Sequence, residues 1–189
     1  MELPPSLALP ADLPAPIDDG AARHLPGMCV PTIRLMATDG RRIDPSKLTA
    51  PRSVIYAYPR TGLPDKAIPE SWDMIPGARG CTPQSCSFRD HHKELAALGA
   101  EVFGLSTQTT EYQREMATRL HLPFAVLSDA QFALTEALNL PTFRFEGVRL
   151  LKRLTLIVRG GRIEAALYPV FPPDRSASDT LTWLQAHPL

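Results

Sequence analysis

The segment around which this chain is organised reads Gly80-Cys81-Thr82-Pro83-Gln84-Ser85-Cys86-Ser87-Phe88-Arg89-Asp90. Two of the three cysteines in the 189-residue chain, Cys81 and Cys86, stand within it. Thr82 is a suitable N-cap, and Pro83 suits the first helical position because its missing N–H would be unpaired there anyway. The segment therefore predicts the start of a helix beside a pair of cysteines.

Cys81 is placed just ahead of this predicted helix, which we expect to run over residues 84–98 and to stop at Gly99. The free N–H groups and the positive end of the helix dipole favour a thiolate at that position. Because the thiolate is the nucleophilic form of cysteine, Cys81 is the candidate reactive residue.

Cys86 follows Cys81 by five positions, which corresponds to about 7.5 Å of rise along a helix. The two side chains then point in different directions, and a disulfide needs its Cα atoms within about 7 Å. The two cysteines can bridge only if the first turn or two of the helix unwinds. This is typical of a bond that forms and breaks in turnover rather than of a structural disulfide.

Bulk composition excludes several classes of protein. The 189 residues suit one domain with a sizeable core, and 20 basic residues balance 20 acidic ones. We therefore expect neither nucleic acid nor membrane among the partners. The sequence shows no apolar run of membrane-spanning length and no secretory signal pattern at its start. An odd number of cysteines argues against a secreted disulfide framework, so a reducing compartment, the cytoplasm, is predicted.

The many prolines near the start of the sequence predict an extended arm over residues 1–24. The remaining residues, 25–189, are predicted to form a single domain. The stretch from Arg60 to Gly80 reads as loop. Predicted strands cover residues 32–36, 41–43, 53–58, 101–106, 123–128, 154–158 and 162–167, and the strand 53–58 is expected to be central. Predicted helices cover 110–120, 132–138 and 178–186, and residues 110–113 fit a capping box at the start of the first of them. A hairpin is predicted at Glu146-Gly147. This order indicates an α/β domain with a mixed sheet.

Apart from lacking a glutamate, the segment 80–90, with its C-x-x-x-x-C spacing, resembles the active-site segment of the peroxiredoxins of the bacterioferritin-comigratory or PrxQ type. Three further stretches agree in order. Residues 26–40 are similar to the family's N-terminal hairpin, 122–129 to its L-P-F-x-L-L-S-D segment, and 153–157 to its R-x-T-F-x-I strand. The resemblance runs from about residue 25 to the C-terminus. It implies a thioredoxin-like fold: a central mixed sheet flanked by helices, with an N-terminal hairpin.

The resemblance also implies an activity, a thiol-dependent peroxidase that needs no cofactor. Cys81 would be the peroxidatic residue, which attacks hydrogen peroxide or an organic hydroperoxide and becomes a sulfenic acid. Cys86 would be the resolving residue, and thioredoxin or glutaredoxin would reduce the resulting disulfide. Arg153 is the candidate for stabilising the thiolate and the peroxide. An intrasubunit pair suits a monomer, with a weak homodimer as the other expectation.

One departure from the family pattern concerns P-x-x-x-T-x-x-C, in which a threonine stands three positions before the reactive cysteine. Here Ala78 occupies that position, while Pro59 ends the preceding strand much earlier in the chain. Thr61 is the tentative replacement for the threonine, with Ser71 a weaker candidate. We expect the intervening residues 63–79 to form an inserted loop beside the active site.

Other interpretations of the residues stay open at this point. Trp72 is the one large apolar residue that could anchor the inserted loop as a flap. Cys29 is either a bystander or a spare resolving thiol. The alternatives to the two-cysteine cycle are a one-cysteine peroxidase and a non-catalytic thioredoxin-fold redox sensor or interaction module. The chain has no C-x-x-C motif, which disfavours a disulfide oxidoreductase.

Overall fold

The computed structural model of the chain describes residues 9–63 and 68–189. Its strands, in chain order β1 to β9, span Leu35–Ala37, Arg42–Ile43, Arg52–Ala57, Ala100–Ser106, Val126–Ser128, Thr142–Phe145, Val148–Leu151, Leu154–Arg159 and Arg162–Leu167. Its helices α1 to α6 span Glu70–Asp73, Cys81–Asp90, His92–Ala97, Thr110–Arg119, Ala133–Ala137 and Ser176–Ala186. In this described part, every helix is too short or too polar to cross a bilayer.

Seven strands form one mixed sheet in the order β2-β1-β5-β4-β3-β8-β9, while β6 and β7 form a separate hairpin. Strands β3, β4 and β5 run parallel, and β8 is antiparallel to β3. The prediction of an α/β domain with a mixed sheet and an N-terminal hairpin is confirmed. The hairpin is β1–β2, which joins the sheet through β5.

Strand β3 shows how the sheet organises the core, because its alternate side chains enter two different clusters. Val54 and Tyr56 pack under the side chains of α2, α3, α4 and α6. Ile55 and Ala57 face the opposite layer, which contains α5 and the segment 22–30. Since both faces are covered, the strand reads as a continuous apolar run, as buried parallel strands do. The expectation that this strand is central is confirmed.

The cysteine helix differs from the prediction at both ends. Helix α2 begins at Cys81, so Thr82 and Pro83 lie inside its first turn, and Gly80 precedes it in a left-handed conformation with φ of 103°. The carbonyl of Gly80 accepts the bond from Gln84 N at 3.0 Å, which starts the helix earlier than the capping pattern predicted. The expected single helix also divides at His91, whose ring nitrogen bonds the carbonyl of Ser87 at 2.9 Å.

Two further predictions are corrected in part. The stretch 60–80, expected to be loop throughout, contains the one-turn helix α1. Helix α4 forms where expected, but its N-cap is Thr109, whose hydroxyl accepts a bond from Tyr112 N at 3.4 Å, rather than a box that starts at Thr110.

The described part of the N-terminal arm, residues 9–24, lies along the domain without helix or strand. Asp19 accepts bonds from Lys152 Nζ at 2.6 Å and from Tyr168 Oη at 2.8 Å. The hydrogen bond from Lys152, followed by that from Tyr168, lowers the pKa of Asp19 to about 2. The arm is therefore tied to the sheet side that carries β8 and β9.

Asp129 is a buried carboxylate that holds the start of α5 against the end of β5. Its oxygens accept bonds from Leu134 N at 3.1 Å, Thr135 N at 2.7 Å and Thr135 Oγ1 at 2.6 Å. Asp129 is 1% exposed, so water cannot replace its carboxylate as the acceptor for these three donors.

We expect Asp129→Ala to lower the free energy of unfolding by about 2–3 kcal/mol, because three buried donors lose a charged acceptor. Urea denaturation followed by circular dichroism measures the change. The matched control is Asp174→Ala, which removes an exposed carboxylate and should change stability by less than about 0.5 kcal/mol. Equal losses in the two variants would contradict this role of Asp129.

Two buried tyrosines of the β3 region differ in how their hydroxyls are satisfied. Tyr56 Oη donates to Ser85 Oγ at 3.1 Å, and its ring stacks on Phe88 at 4.3 Å between centroids. Tyr58 is also fully buried, but its hydroxyl has no hydrogen-bond partner among the described residues. Burial raises the pKa of both phenols well above the usual value, so both stay protonated.

Tyr58→Phe should therefore raise the free energy of unfolding by about 1 kcal/mol, because it removes an unpaired buried hydroxyl and keeps the ring. Tyr56→Phe is the matched comparison and should lower it by a similar amount, because Ser85 loses its donor. Chemical denaturation at a constant m-value separates the two outcomes. A loss of stability in Tyr58→Phe as large as that in Tyr56→Phe would contradict the assignment.

Candidate active site

A cavity of about 300 Å³ opens where the start of α2 meets the segment after β3 and the inserted loop. Cys81 and Thr61 both line it, and so do Arg60, Arg79 and Tyr112. The rest of the wall is mostly apolar or backbone: Leu9, Gly62, Leu63, Ile68, Pro69, Trp72, Gly80, Thr82 and Pro83. The structure thus brings the two sequence-predicted residues Cys81 and Thr61 to one cavity.

Cys81 is the first residue of α2, where backbone N–H groups of the opening turn have no partner within the helix. Cys81 is 4% exposed, and Gly80 stands directly before it in a left-handed conformation. A Cβ atom at Gly80 would stand 2.6 Å from Pro173 Cγ, and the φ of 103° is one that other residues rarely adopt. Only glycine therefore fits both the backbone and the close approach.

Arg153 is 3% exposed and places its guanidinium against the thiol of Cys81, with Nη2 at 3.3 Å from Sγ. The same guanidinium donates to the carbonyls of Gly77 at 3.3 Å, Ala78 at 3.1 Å and Arg79 at 3.2 Å. No carboxylate of the described residues forms an ion pair with it. The buried charge is thus surrounded by neutral acceptors and by one sulfur that becomes an anion on losing its proton.

The position of Arg153 follows from the sheet. It comes directly before β8, and the antiparallel register pairs Leu154 with Ala57 at the end of β3. The start of β8 therefore lies at the edge of the sheet where β3 ends and the segment toward Thr61 begins. This is the geometric reason for an arginine and a cysteine far apart in sequence to meet.

Gln84 is a site residue that sequence analysis missed. It is completely buried one turn beyond Cys81, its Oε1 accepts a bond from Arg153 Nη1, and its Nε2 donates to Ser176 Oγ at 3.2 Å. Ser176 Oγ lies 3.4 Å from the hydroxyl of Thr155. The only signal in the sequence was the helical spacing that puts Gln84 on the same side of α2 as Cys81.

Thr61 is held by a second missed residue, Gln108. Gln108 Oε1 accepts bonds from Thr61 N at 2.9 Å and from Thr61 Oγ1 at 3.3 Å, and its Nε2 donates to Thr61 O at 3.1 Å. Thr61 is 2% exposed. Gln108 follows the carboxyl end of β4, where loops of a parallel sheet commonly gather. Ser71, the weaker candidate, is exposed and does not line the cavity.

The inserted loop is anchored on the β6–β7 hairpin. Trp72 is 3% exposed and packs edge-on against Phe145, with 5.0 Å between ring centroids. The guanidinium carbon of Arg60 lies 4.6 Å from the Trp72 centroid and 4.8 Å from that of Phe145. The described residues of the loop therefore form one wall of the cavity through an aromatic and cationic cluster.

Cys86 lies on the same helix but faces the core, where it is 5% exposed. Burial raises the pKa of its thiol, an effect that Arg89 opposes. Cys29 is exposed and outside the cavity lining. All three cysteines are free in this structure. Among residues 9–63 and 68–189, no three His, Cys, Asp or Glu side chains come together as a metal site would need.

Comparisons with known proteins agree with this geometry. Residues 25–182 match the Redoxin family. The chain is 27% identical to "Peroxiredoxin Q, chloroplastic" of Sedum lineare over 87% of this chain and 80% of that protein. It is 33% identical to "Peroxiredoxin bcp1" of Schizosaccharomyces pombe over 60% of this chain and 51% of that protein.

Among solved structures, the chain is similar to "Peroxidoxin BcpB from Mycobacterium tuberculosis", with a TM-score of 0.70 and 25% identity. The match covers 88% of this chain and all of that one. It confirms the predicted thioredoxin-like fold, in which a mixed central sheet is flanked by helices. The chain belongs to the Redoxin family and is a peroxiredoxin, a thiol peroxidase of the PrxQ or bacterioferritin-comigratory type.

Proposed function

We propose that this chain reduces hydrogen peroxide and organic hydroperoxides with Cys81 as the attacking residue and Cys86 as the resolving one. The observation that carries the proposal is the 3.3 Å contact between Arg153 Nη2 and Cys81 Sγ at the first residue of a helix. A buried cation and a helix start both favour the thiolate, and the cavity gives that sulfur access to a small molecule.

The first step is a two-electron transfer. The Cys81 thiolate attacks the terminal oxygen of the peroxide, the O–O bond breaks and an S–O bond forms. Sulfur is oxidised to sulfenic acid, and the departing oxygen takes a proton to leave as water or an alcohol. Arg153 stabilises the charge on sulfur before attack and the negative charge that develops on oxygen during it.

Thr61 orients the peroxide in this proposal. Its hydroxyl proton is directed at Gln108 Oε1, so the hydroxyl oxygen has a lone pair left to accept a bond from the peroxide O–H. This arrangement supports Thr61 as the replacement for the family's threonine, because it lies in the same cavity as the sulfur.

The second step joins Cys86 to the oxidised Cys81 and releases water. In the folded helix Cys86 is buried and its raised pKa keeps it protonated, which makes it a poor nucleophile. Unwinding the start of α2 would expose it to water and bring the two sulfurs together. A dithiol protein such as thioredoxin or glutaredoxin then reduces the disulfide by thiol exchange. The monomeric state and the reducing, cytoplasmic compartment stay predictions.

Intact mass after one equivalent of hydrogen peroxide tests the cycle. The wild-type chain should lose two hydrogen atoms and recover them on adding thioredoxin and its reductase. Cys86→Ser should instead gain one oxygen, because the sulfenic acid has no partner, and Cys81→Ser should not change. Cys29→Ser is the matched control, since an exposed thiol outside the cavity should leave the wild-type pattern intact.

Three outcomes would contradict this cycle in different ways. Sustained turnover of Cys86→Ser with thioredoxin would favour a one-cysteine peroxidase. Stoichiometric oxidation of Cys81 without turnover in the wild-type chain would favour a redox sensor. Unchanged peroxide removal by Cys81→Ser would exclude Cys81 as the reacting residue.

Loss of the Arg153 charge gives a second prediction. Arg153→Gln should slow peroxide reduction about 100-fold, because one preorganised donor and the cation beside the sulfur are lost together. Stopped-flow oxidation of the protein by hydrogen peroxide measures the rate, and thermal melting checks that the variant folds. Arg149→Gln on β7 is the matched control and should react at the wild-type rate. An unchanged rate in Arg153→Gln would remove Arg153 from the mechanism.

A further inference from the structure

Arg60 has the setting of a fixed receptor for a negative charge. Its guanidinium carbon lies over two aromatic rings, 4.6 Å from the centroid of Trp72 and 4.8 Å from that of Phe145. Contact with the faces of aromatic rings leaves the five N–H donors of a guanidinium without a conventional hydrogen-bond acceptor. A side chain held in this way loses less conformational entropy on binding than a free arginine does.

The same arginine lines the cavity that contains the reactive sulfur. Burial raises the pKa of Tyr112, another lining residue, and the positive charge of Arg60 opposes that rise. The positive charge of Arg60 therefore influences Tyr112 in the cavity lining, in addition to its contacts with Trp72 and Phe145.

The charges around the cavity are unbalanced in the described part of the chain. The described lining residues include two arginines and no carboxylate. Arg79 already pairs with Asp73 at 2.9 Å, whereas no hydrogen bond or ion pair connects Arg60 to a described residue. A negatively charged ligand would therefore meet Arg60 rather than Arg79.

The volume of the cavity is also much larger than a molecule of hydrogen peroxide requires. About 300 Å³ is at the lower end of small-molecule binding sites, whereas a molecule the size of water occupies about 30 Å³. The wall includes Leu63, Ile68 and Trp72, which suit the compact apolar body of an organic hydroperoxide.

From these contacts we infer that the cavity binds organic hydroperoxides that carry a carboxylate, with Arg60 as the receptor for that carboxylate. The inference rests on the proposed function, because the hydroperoxide end must reach Cys81. It assigns Arg60 as a specificity-determining residue, and it gives the insertion, through Trp72, a role in holding that receptor in place.

The test compares three substrates that share one scaffold: cumene hydroperoxide, its para-carboxylate and the methyl ester of that carboxylate. For the wild-type chain we expect kcat/KM for the carboxylate to exceed that for the ester about tenfold, as one charge-assisted bond would give. Arg60→Gln should bring this ratio close to one, and Arg60→Lys should restore part of it because it keeps the charge.

Arg144→Gln is the matched control for general electrostatic attraction. It removes the same charge from an exposed position on β6, next to Phe145, and should keep the wild-type ratio. A ratio that falls equally in Arg144→Gln and Arg60→Gln would overturn the subsite. A uniform loss for all three substrates in Arg60→Gln would overturn it too, because Arg60 would then support the loop rather than bind a carboxylate.

A binding arm separates failure of the subsite from failure of the proposed peroxidase. The product alcohol of the carboxylated substrate should bind the Cys81→Ser chain about tenfold more tightly than its methyl ester does, and Arg60→Gln should abolish the difference. Calorimetry measures this without turnover. Equal binding of the carboxylated alcohol and of its methyl ester overturns the subsite, even if hydrogen peroxide is reduced normally. Absence of peroxide reduction in the wild-type chain overturns the proposed function instead.

Discussion

The buried guanidinium of Arg153 is the group on which the active site depends. A cation this deep in the protein is tolerated only when all its donors find acceptors. Here they are the carbonyls of residues 77–79, the amide oxygen of Gln84 and the sulfur of Cys81. Every one of these acceptors except the sulfur is always neutral, so the sulfur is the only described neighbour of Arg153 that can take a negative charge. In the proposed cycle, reactivity and local stability therefore arise from one interaction.

Much of the architecture could be predicted from the sequence because its signals are local. The continuous apolar run of β3, the glycine turn before β9 and the helical spacing after Asp129 each depend on neighbours a few positions apart. The placement of Cys81 at a helix start was also a local prediction, since it needs only the adjacent residues. Arg153 became a candidate only through the family resemblance, and the sheet register explains why it meets Cys81.

The parts that could not be predicted depend on contacts between distant segments. Gln84 and Ser176 are 92 positions apart, and Thr61 and Gln108 are 47 apart, so no periodic pattern marks either pair. The helix start moved to Cys81 because Gly80 adopts a left-handed backbone, which a capping pattern in Thr82 and Pro83 does not reveal. Polar residues at such sites look like ordinary surface residues until the fold brings their partners to them.

Pro173 packs closely against Gly80, so the C-terminal region of the chain borders the candidate active site. Pro173 occupies the space that a side chain before Cys81 would need, and a few residues later Ser176 supports Gln84. Helix α6 begins at that serine, so its first residue is only two hydrogen bonds from Arg153. A protein that binds α6, or a fusion that displaces it, would therefore act on Gly80, Gln84 and Arg153, the neighbours of Cys81, without bending the sheet.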